Sequence, residues 1–159
     1  MPHSLRRTDR ALDEARTQAL LEEGQYGVLC LASDEDGAIG GYGVPVNYAM
    51  IDGAPYFHCA TEGRKLDCLR AHDRVSFCVV AQQHFPLPER FSYAYRSVIV
   101  EGRAEVVESP LREEALRALV RRFAAGYEAQ AEEAIARNTL NTAVVRIVPE
   151  RITGKGNPA

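Results

Sequence analysis

Residues 26–60 read YGVLCLASDEDGAIGGYGVPVNYAMIDGAPYFHCA, and the order of strands and turns within them decides the fold. Tyr26–Ser33 has a strand's composition, and Asp34-Glu35-Asp36-Gly37 is a hairpin turn. A second strand is expected from about Gly41 to Ile51, and Asp52-Gly53 turns the chain into a third at Pro55–Ala60. Two hairpins in succession make a meander, which favours an antiparallel over a parallel sheet.

Upstream, residues 8–23 predict an amphipathic helix, with Ala11, Leu12, Ala15, Ala19 and Leu20 on one side and Gly24 as its stop. Downstream, Thr61-Glu62-Gly63 opens a short helix over Arg64–Ala71. A strand at Arg74–Ala81 follows, then a loop at Gln82–Arg90 that holds Pro86 and Pro88. Tyr95–Val107 is a long strand with Gly102 as a bulge. Ser109-Pro110 starts a helix in which Leu116, Leu119, Val120 and Phe123 fall at packing intervals. Residues 127–138 continue as a second helical piece, Thr142–Val148 is the last strand, and Gly154-Lys155-Gly156-Asn157-Pro158 reads as a flexible tail. The expectation is a mainly β protein with helices (β or α+β): six antiparallel strands in a small barrel, in one domain over residues 1–159.

Bulk properties agree with a single folded domain. The 159 residues are 46% hydrophobic and 26% charged, enough to build a core without disulfides or a structural metal. Nineteen Lys and Arg against 22 Asp and Glu give a net charge of −3 and no basic stripe, which argues against a nucleic-acid binder. The apolar runs fall far short of the roughly 20 residues a membrane span needs. Residues 5–10 are charged where a secretory signal's apolar region would begin, so a soluble cytoplasmic protein is expected.

Cys30, Cys59 and Cys78 lie in apolar contexts, and no Cys-x-x-Cys occurs with Cys68 either. His58 and Cys59 with Cys68 and His72 could supply four soft ligands, yet buried thiols and two unrelated histidines explain them better, so no metal site is assigned. The glycines at 37, 40, 41 and 43 precede a strand rather than a helix. They are therefore not a dinucleotide fingerprint, although they would let a flat ligand approach the backbone. Ala60-Thr61-Glu62-Gly63-Arg64-Lys65-Leu66-Asp67 carries more. Thr61 is a candidate N-cap, and the helix amides with Arg64 and Lys65 make a phosphate site. Arg96 is a second candidate anion donor and Ser97 a second hydrogen-bonding group, although a strand end with an interfacial arginine explains them better from local sequence alone. His58 alternates with Tyr56 and Ala60 on its strand and is the one histidine considered for proton chemistry.

Tyr26-Gly27-Val28-Leu29, Val44-Pro45-Val46-Asn47-Tyr48, Tyr56–Ala60, Glu62–Asp67 and Tyr95–Gly102, in that order, resemble the pyridoxamine 5′-phosphate oxidase-like flavin proteins. The likeness is to the branch related to the 5-nitroimidazole resistance (Nim) proteins, whose C-terminal signature Ile152-Thr153-Gly154-Lys155 resembles. It covers Leu20–Val107 and then the last strand and tail. The resemblance implies a split β-barrel homodimer with FMN in clefts at the subunit interface. It also implies hydride transfer from NAD(P)H to a small-molecule acceptor such as a nitroaromatic. On that pattern Pro45, Val46 and Asn47 line the flavin ring, His58 and Ala60 flank the cleft, and Lys65 with Leu66 holds the phosphate. Arg64 stands where relatives often carry His and strengthens phosphate binding, while Arg96 and Ser97 come from the strand that completes the cleft. A deazaflavin-dependent reductase of the same fold and a non-enzymatic flavin or haem binder, with His58, His72 or His84 as axial ligand, are the rival expectations.

Overall fold

A computed structural model describes residues 5–35, 37–87, 92–137 and 141–157, with the side chains of residues 35, 82–87, 92 and 93 outside the description. The described residues contain seven strands: β1 Tyr26–Glu35, β2 Ala38–Asn47, β3 Ala49–Ile51, β4 Ala54–Ala60, β5 Arg74–Leu87, β6 Ser92–Val107 and β7 Thr142–Asn157. They form one antiparallel sheet in the order β2-β1-β5-β6-β7-β4-β3. The helices are α1 Glu14–Glu23, α2 Arg64–Ala71, α3 Leu111–Phe123 and α4 Glu128–Ala136.

The expected second strand, 41–51, is two strands at opposite edges of the sheet, which makes seven strands where six were expected. Only Tyr48 separates Asn47, the end of β2, from Ala49, the start of β3. Two edges tied through one residue force the sheet to curl until they adjoin, and they meet with no ladder between β2 and β4 among the described pairings. This is the split in the barrel. Alternation along β2 and β1 turns Tyr42, Val44, Val46, Leu29 and Leu31 inward, where they meet Phe57, Phe77, Val98, Val100, Val145 and Ile147. A second cluster, around Tyr56, Val107, Ala115, Leu116, Ile135 and Val144, packs α3 and α4 onto the outside of β4 and β7.

Three further expectations change. The first helix begins at Glu14 rather than residue 8, because Asp13 caps it by accepting the Arg16 amide at 2.8 Å. Residues 8–12 instead form a 3-10 turn and a strap on β7: Ala11 bridges to Lys155, and the Leu12 amide donates to the Gly154 carbonyl at 3.0 Å. The expected flexible tail is the far end of β7 as far as Asn157, with Ser97 opposite Lys155 and Tyr95 opposite Asn157; Pro158 lies outside the described residues. Gly154 and Gly156 are buried there. A side chain at Gly154 would overlap Thr17 and press on Leu12, so the glycines admit the strap rather than loosen the chain. The expected loop at 82–90 is strand as far as Leu87, with the register shifted between Gln82 and Pro86, an irregularity that accommodates the proline. Residues 88–91 lie outside the described residues.

Other readings agree closely. α2 spans the expected residues. The bulge expected at Gly102 appears as a register shift between Glu101 and Gly102. At the start of α3 the Ser109 hydroxyl does not cap a backbone amide; it donates to Glu113 at 2.8 Å.

A Cβ at Gly102 would overlap the Val148 carbonyl, which is backbone and cannot swing aside, whereas nothing lies within 4 Å of one at Gly41. Gly102→Ala should therefore cost about 1–3 kcal/mol in urea unfolding. Gly41→Ala should change stability by less than about 1 kcal/mol.

Candidate functional site

The seam between β2 and β4 gathers most of the residues the sequence singled out. Alternation leaves Pro45 and Asn47 exposed on the outer face of β2 and turns Val46 into the core, 9% exposed. Asn47 lies opposite Tyr26 of β1, and its side-chain amide donates to the Gln25 carbonyl at 2.9 Å, which fixes its orientation. On β4, Tyr56, His58 and Ala60 share one face. Tyr56 is buried under α3 and α4, while His58 and Ala60 are exposed. Phe57 and Cys59 face the barrel interior.

The chain then turns into α2 through Gly63, whose φ of 110° suits glycine. Thr61 is not the N-cap. Its hydroxyl donates to the Asn141 side-chain amide oxygen, Oδ1, at 3.1 Å, and α2 begins at Arg64 with no side-chain cap. Leu66 is a core residue at 4% exposure, so it anchors the helix rather than reaching a ligand with its side chain. The Lys65 ammonium sits 5.7 Å from the Phe57 ring centroid. Burial pushes the His58 imidazole below its ordinary pKa, and the Lys65 charge adds to that push. Burial raises the Cys59 thiol, with Lys65 opposing. One ammonium thus reaches both faces of the end of β4. Arg64 points elsewhere, 4.3 Å over the Tyr42 ring and 3.4 Å from the Ser33 hydroxyl.

Arg96 and Ser97 are not at this seam. Arg96 lies opposite Gly156, and its guanidinium is 3.7 Å from Glu23 of α1. Ser97 shares the outer sheet face with Val80 and Ile99. His72 ends α2 at the opposite end from Lys65, and the His84 side chain lies outside the described residues.

The sequence reading did not foresee a wall on the seam. A cavity of about 310 Å³ adjoins Asn47, His58 and Thr142 and is walled by Leu116, Leu119, Val120 and Phe123 of α3 and by Ala124 just past its end. The helical spacing of Leu116, Leu119, Val120 and Phe123 was legible, but it indicated only packing on the sheet. The signal that was available is that the apolar stripe runs on to Phe123, which remains 41% exposed. A larger hollow of about 500 Å³ lies behind α2, between Arg70, Arg112 and the start of β7; Leu66 is the one predicted site residue that lines it.

Residues 13–156 match the family model described as pyridoxamine 5′-phosphate oxidase. No curated protein matches significantly. Among solved structures, the chain is similar to a conserved hypothetical protein of Mycobacterium tuberculosis, at 25% identity and a TM-score of 0.75, over 96% of this chain and 90% of that one. It is similar to a Bacteroides thetaiotaomicron protein put forward as a 5-nitroimidazole antibiotic resistance protein, at 22% identity and a TM-score of 0.71, over 92% and 86%. The flavocytochrome Anf3 of Azotobacter vinelandii is similar at 20% identity and a TM-score of 0.81, over 99% and 73%. These likenesses establish the fold.

The charge beside His58 sets a titration that can be checked. By NMR, its midpoint should fall below the ordinary 6.5. Lys65→Gln should raise it without fully restoring it, because burial is the larger cause. The unfolded chain binds this proton more readily than the folded one, so stability should decline as pH falls from about 6.5. His58→Gln should remove that part of the slope.

Proposed function

The chain belongs to the pyridoxamine 5′-phosphate oxidase family, and from that premise we propose that it binds FMN along the β2–β4 seam and passes hydride from NAD(P)H to a small acceptor. The observation that carries this reading is that Asn47 and His58 line one cavity at the seam while the Lys65 ammonium, at the helix start without a side-chain cap, is near enough to His58 to lower its pKa. The donor set fits the cofactor. Lys65 and the first turn of α2 would hold the phosphate by charge-assisted hydrogen bonds, and the outer faces of Pro45, Asn47 and Ala60 offer the ring a surface without bulky side chains. When bound, FMN supplies the hydride chemistry. The protein's part is to orient the ring with Asn47 and to hold a neutral imidazole at its edge. Arg64, stacked on Tyr42, adds positive potential near the phosphate position rather than a direct grip. The flavocytochrome among the similar structures is consistent with a flavin on this fold.

The same reading makes the protein a homodimer. On the outer sheet face Val28, Cys78 and Ile99 lie side by side in register, with Val80 and Ser97 as the next cross-strand pair. Val80 is 55% and Ile99 40% exposed, so a two-strand apolar strip faces water. Farther along the same face the Glu101–Arg151 pair at 2.7 Å and the Arg103–Asp73 pair, also at 2.7 Å, form a charged border. A second copy seated on the strip would bury it and carry Ser97 toward the partner's cleft, while Arg96, on the other face beside Glu23, would stay with its own subunit.

The first measurement is the absorption spectrum of the purified protein, followed by anaerobic NADH or NADPH. Flavin bands that bleach support the reading, and a Soret band would replace it with haem. A flavin-free protein that reduces an added acceptor only when a reduced deazaflavin is supplied, and not with a nicotinamide, would replace FMN with that cofactor. Lys65→Ala should weaken FMN binding at least tenfold, about 1.4 kcal/mol, in a fluorescence titration of the apoprotein; an unchanged affinity removes Lys65 from the phosphate site. In sedimentation the wild type should be a dimer and Val80→Glu a monomer. A wild-type monomer that binds FMN tightly would overturn the composite cleft.

A further inference from the structure

The 310 Å³ cavity beside Asn47 and His58 has a composition that the flavin reading does not require. Five of its described lining residues are apolar, four from α3 and Ala124 just past its end. The other three are Asn47, His58 and Thr142, and among the described residues no lysine, arginine or carboxylate lines it. No residue of α2 reaches it either, so it lies apart from the proposed phosphate site. A charged ligand would meet no charged side chain on this described lining, so its lost hydration would be repaid less well there than a neutral ring's. A neutral ring would lose nothing on the α3 side and would find two polar side chains opposite. The Asn47 amide nitrogen is committed to the Gln25 carbonyl, which leaves its oxygen as an acceptor toward the cavity. The imidazole beside it is held neutral and can donate or accept.

The volume points the same way. A closed apolar cavity of about 150 Å³ is enough to hold benzene, so this one suits a molecule of one or two rings. Its wall is also fixed in place. The Arg122 guanidinium, in the last turn of α3, donates to the Glu22 carbonyl at 2.7 Å and to the Gly24 carbonyl, and stacks 5.2 Å over the Tyr48 ring. The apolar face of α3 is therefore presented to the seam before any ligand arrives, and the entropy of ordering it is met by the fold.

We propose that the cavity between α3 and the Asn47–His58 edge is a binding chamber for a neutral, largely apolar molecule of one or two rings, with Val120 and Phe123 setting its size and Asn47 and His58 its polar contacts. With FMN on the seam, this chamber is where an acceptor lies. That use rests on the flavin reading, whereas the binding itself does not.

The test pairs two probes of one shape, benzyl alcohol and benzoate, titrated into the full chain and followed by NMR with and without FMN. Benzyl alcohol should bind at least tenfold more tightly and shift the amides of Val120 and Phe123. Val120→Trp, which fills the chamber, should weaken benzyl alcohol at least tenfold and leave both the FMN affinity and the sedimentation coefficient unchanged. Phe123→Ala, at an exposed position that cannot unfold the core, should weaken benzyl alcohol several-fold. Equal or tighter binding of benzoate overturns the proposal. So does a Val120→Trp protein that loses FMN, because the flavin ring then fills the cavity, or one that becomes monomeric, because a second copy then covers α3. If the wild type takes up no FMN, the flavin reading fails, and the probe titration still decides the chamber.

Discussion

Tyr48 joins the two edges of the sheet, and the position of the site depends on how it is buried. Its ring packs edge-on against Phe77 at 5.0 Å, and its hydroxyl donates to the Leu21 carbonyl at 2.6 Å. A buried phenol needs that partner, because an unsatisfied hydroxyl would cost about 1–3 kcal/mol. The acceptor is one of the carbonyls that the last turn of α1 cannot bond internally. Burial pushes the Tyr48 pKa up to about 12, with Arg122 opposing, so the phenol keeps its proton and remains a donor. The close of α1, the break between β2 and β3 and the barrel's seam are thus one arrangement. Gly24 belongs to it: a Cβ there would come within 2.5 Å of Val79 and 2.6 Å of the Tyr48 hydroxyl.

Much of this fold was legible in the sequence, and the parts that were not share a cause. Strand composition, the two hairpins and the full extent of α2 depend on neighbours within a few residues. The break at Tyr48 does not. Val44, Val46 and Tyr48 continue one alternation without interruption, and only the closing of the barrel makes Tyr48 leave the ladder. Gly154 and Gly156 likewise resemble a flexible tail until residues 11–17 are brought against them. At Pro86, the local bias toward a loop yields to the long β5–β6 hairpin, which absorbs the proline in a register shift.

The site was legible to a similar depth. Asn47, His58, Ala60 and Lys65 come to one seam, although 18 positions separate the first from the last. Val46 and Leu66 flank them in sequence but turn inward, as strand alternation and helix periodicity require, so their side chains serve the core. Arg64 and Lys65 also diverge although they are consecutive, because adjacent positions on a helix point about 100° apart. The first stacks on Tyr42 of β2, and the second faces the end of β4. A basic pair in a motif is therefore two separate placements, and only Lys65 has the seam within reach.

Charge within the seam is distributed unevenly, and that unevenness divides its labour. At the α2 end the Lys65 ammonium lies beside a helix start without a side-chain cap, and Asp67 of the first turn is paired with Arg70 at 2.8 Å, so positive potential gathers there. At the α3 end the lining carries no formal charge once His58 is neutral, and Lys65 itself helps to keep it so by disfavouring a second positive charge nearby. The same lysine that would draw an anion to one end therefore keeps the other end uncharged. Along one seam, positive potential at the α2 end is thus set apart from an uncharged, largely apolar lining at the α3 end, so the two ends suit groups of different chemistry.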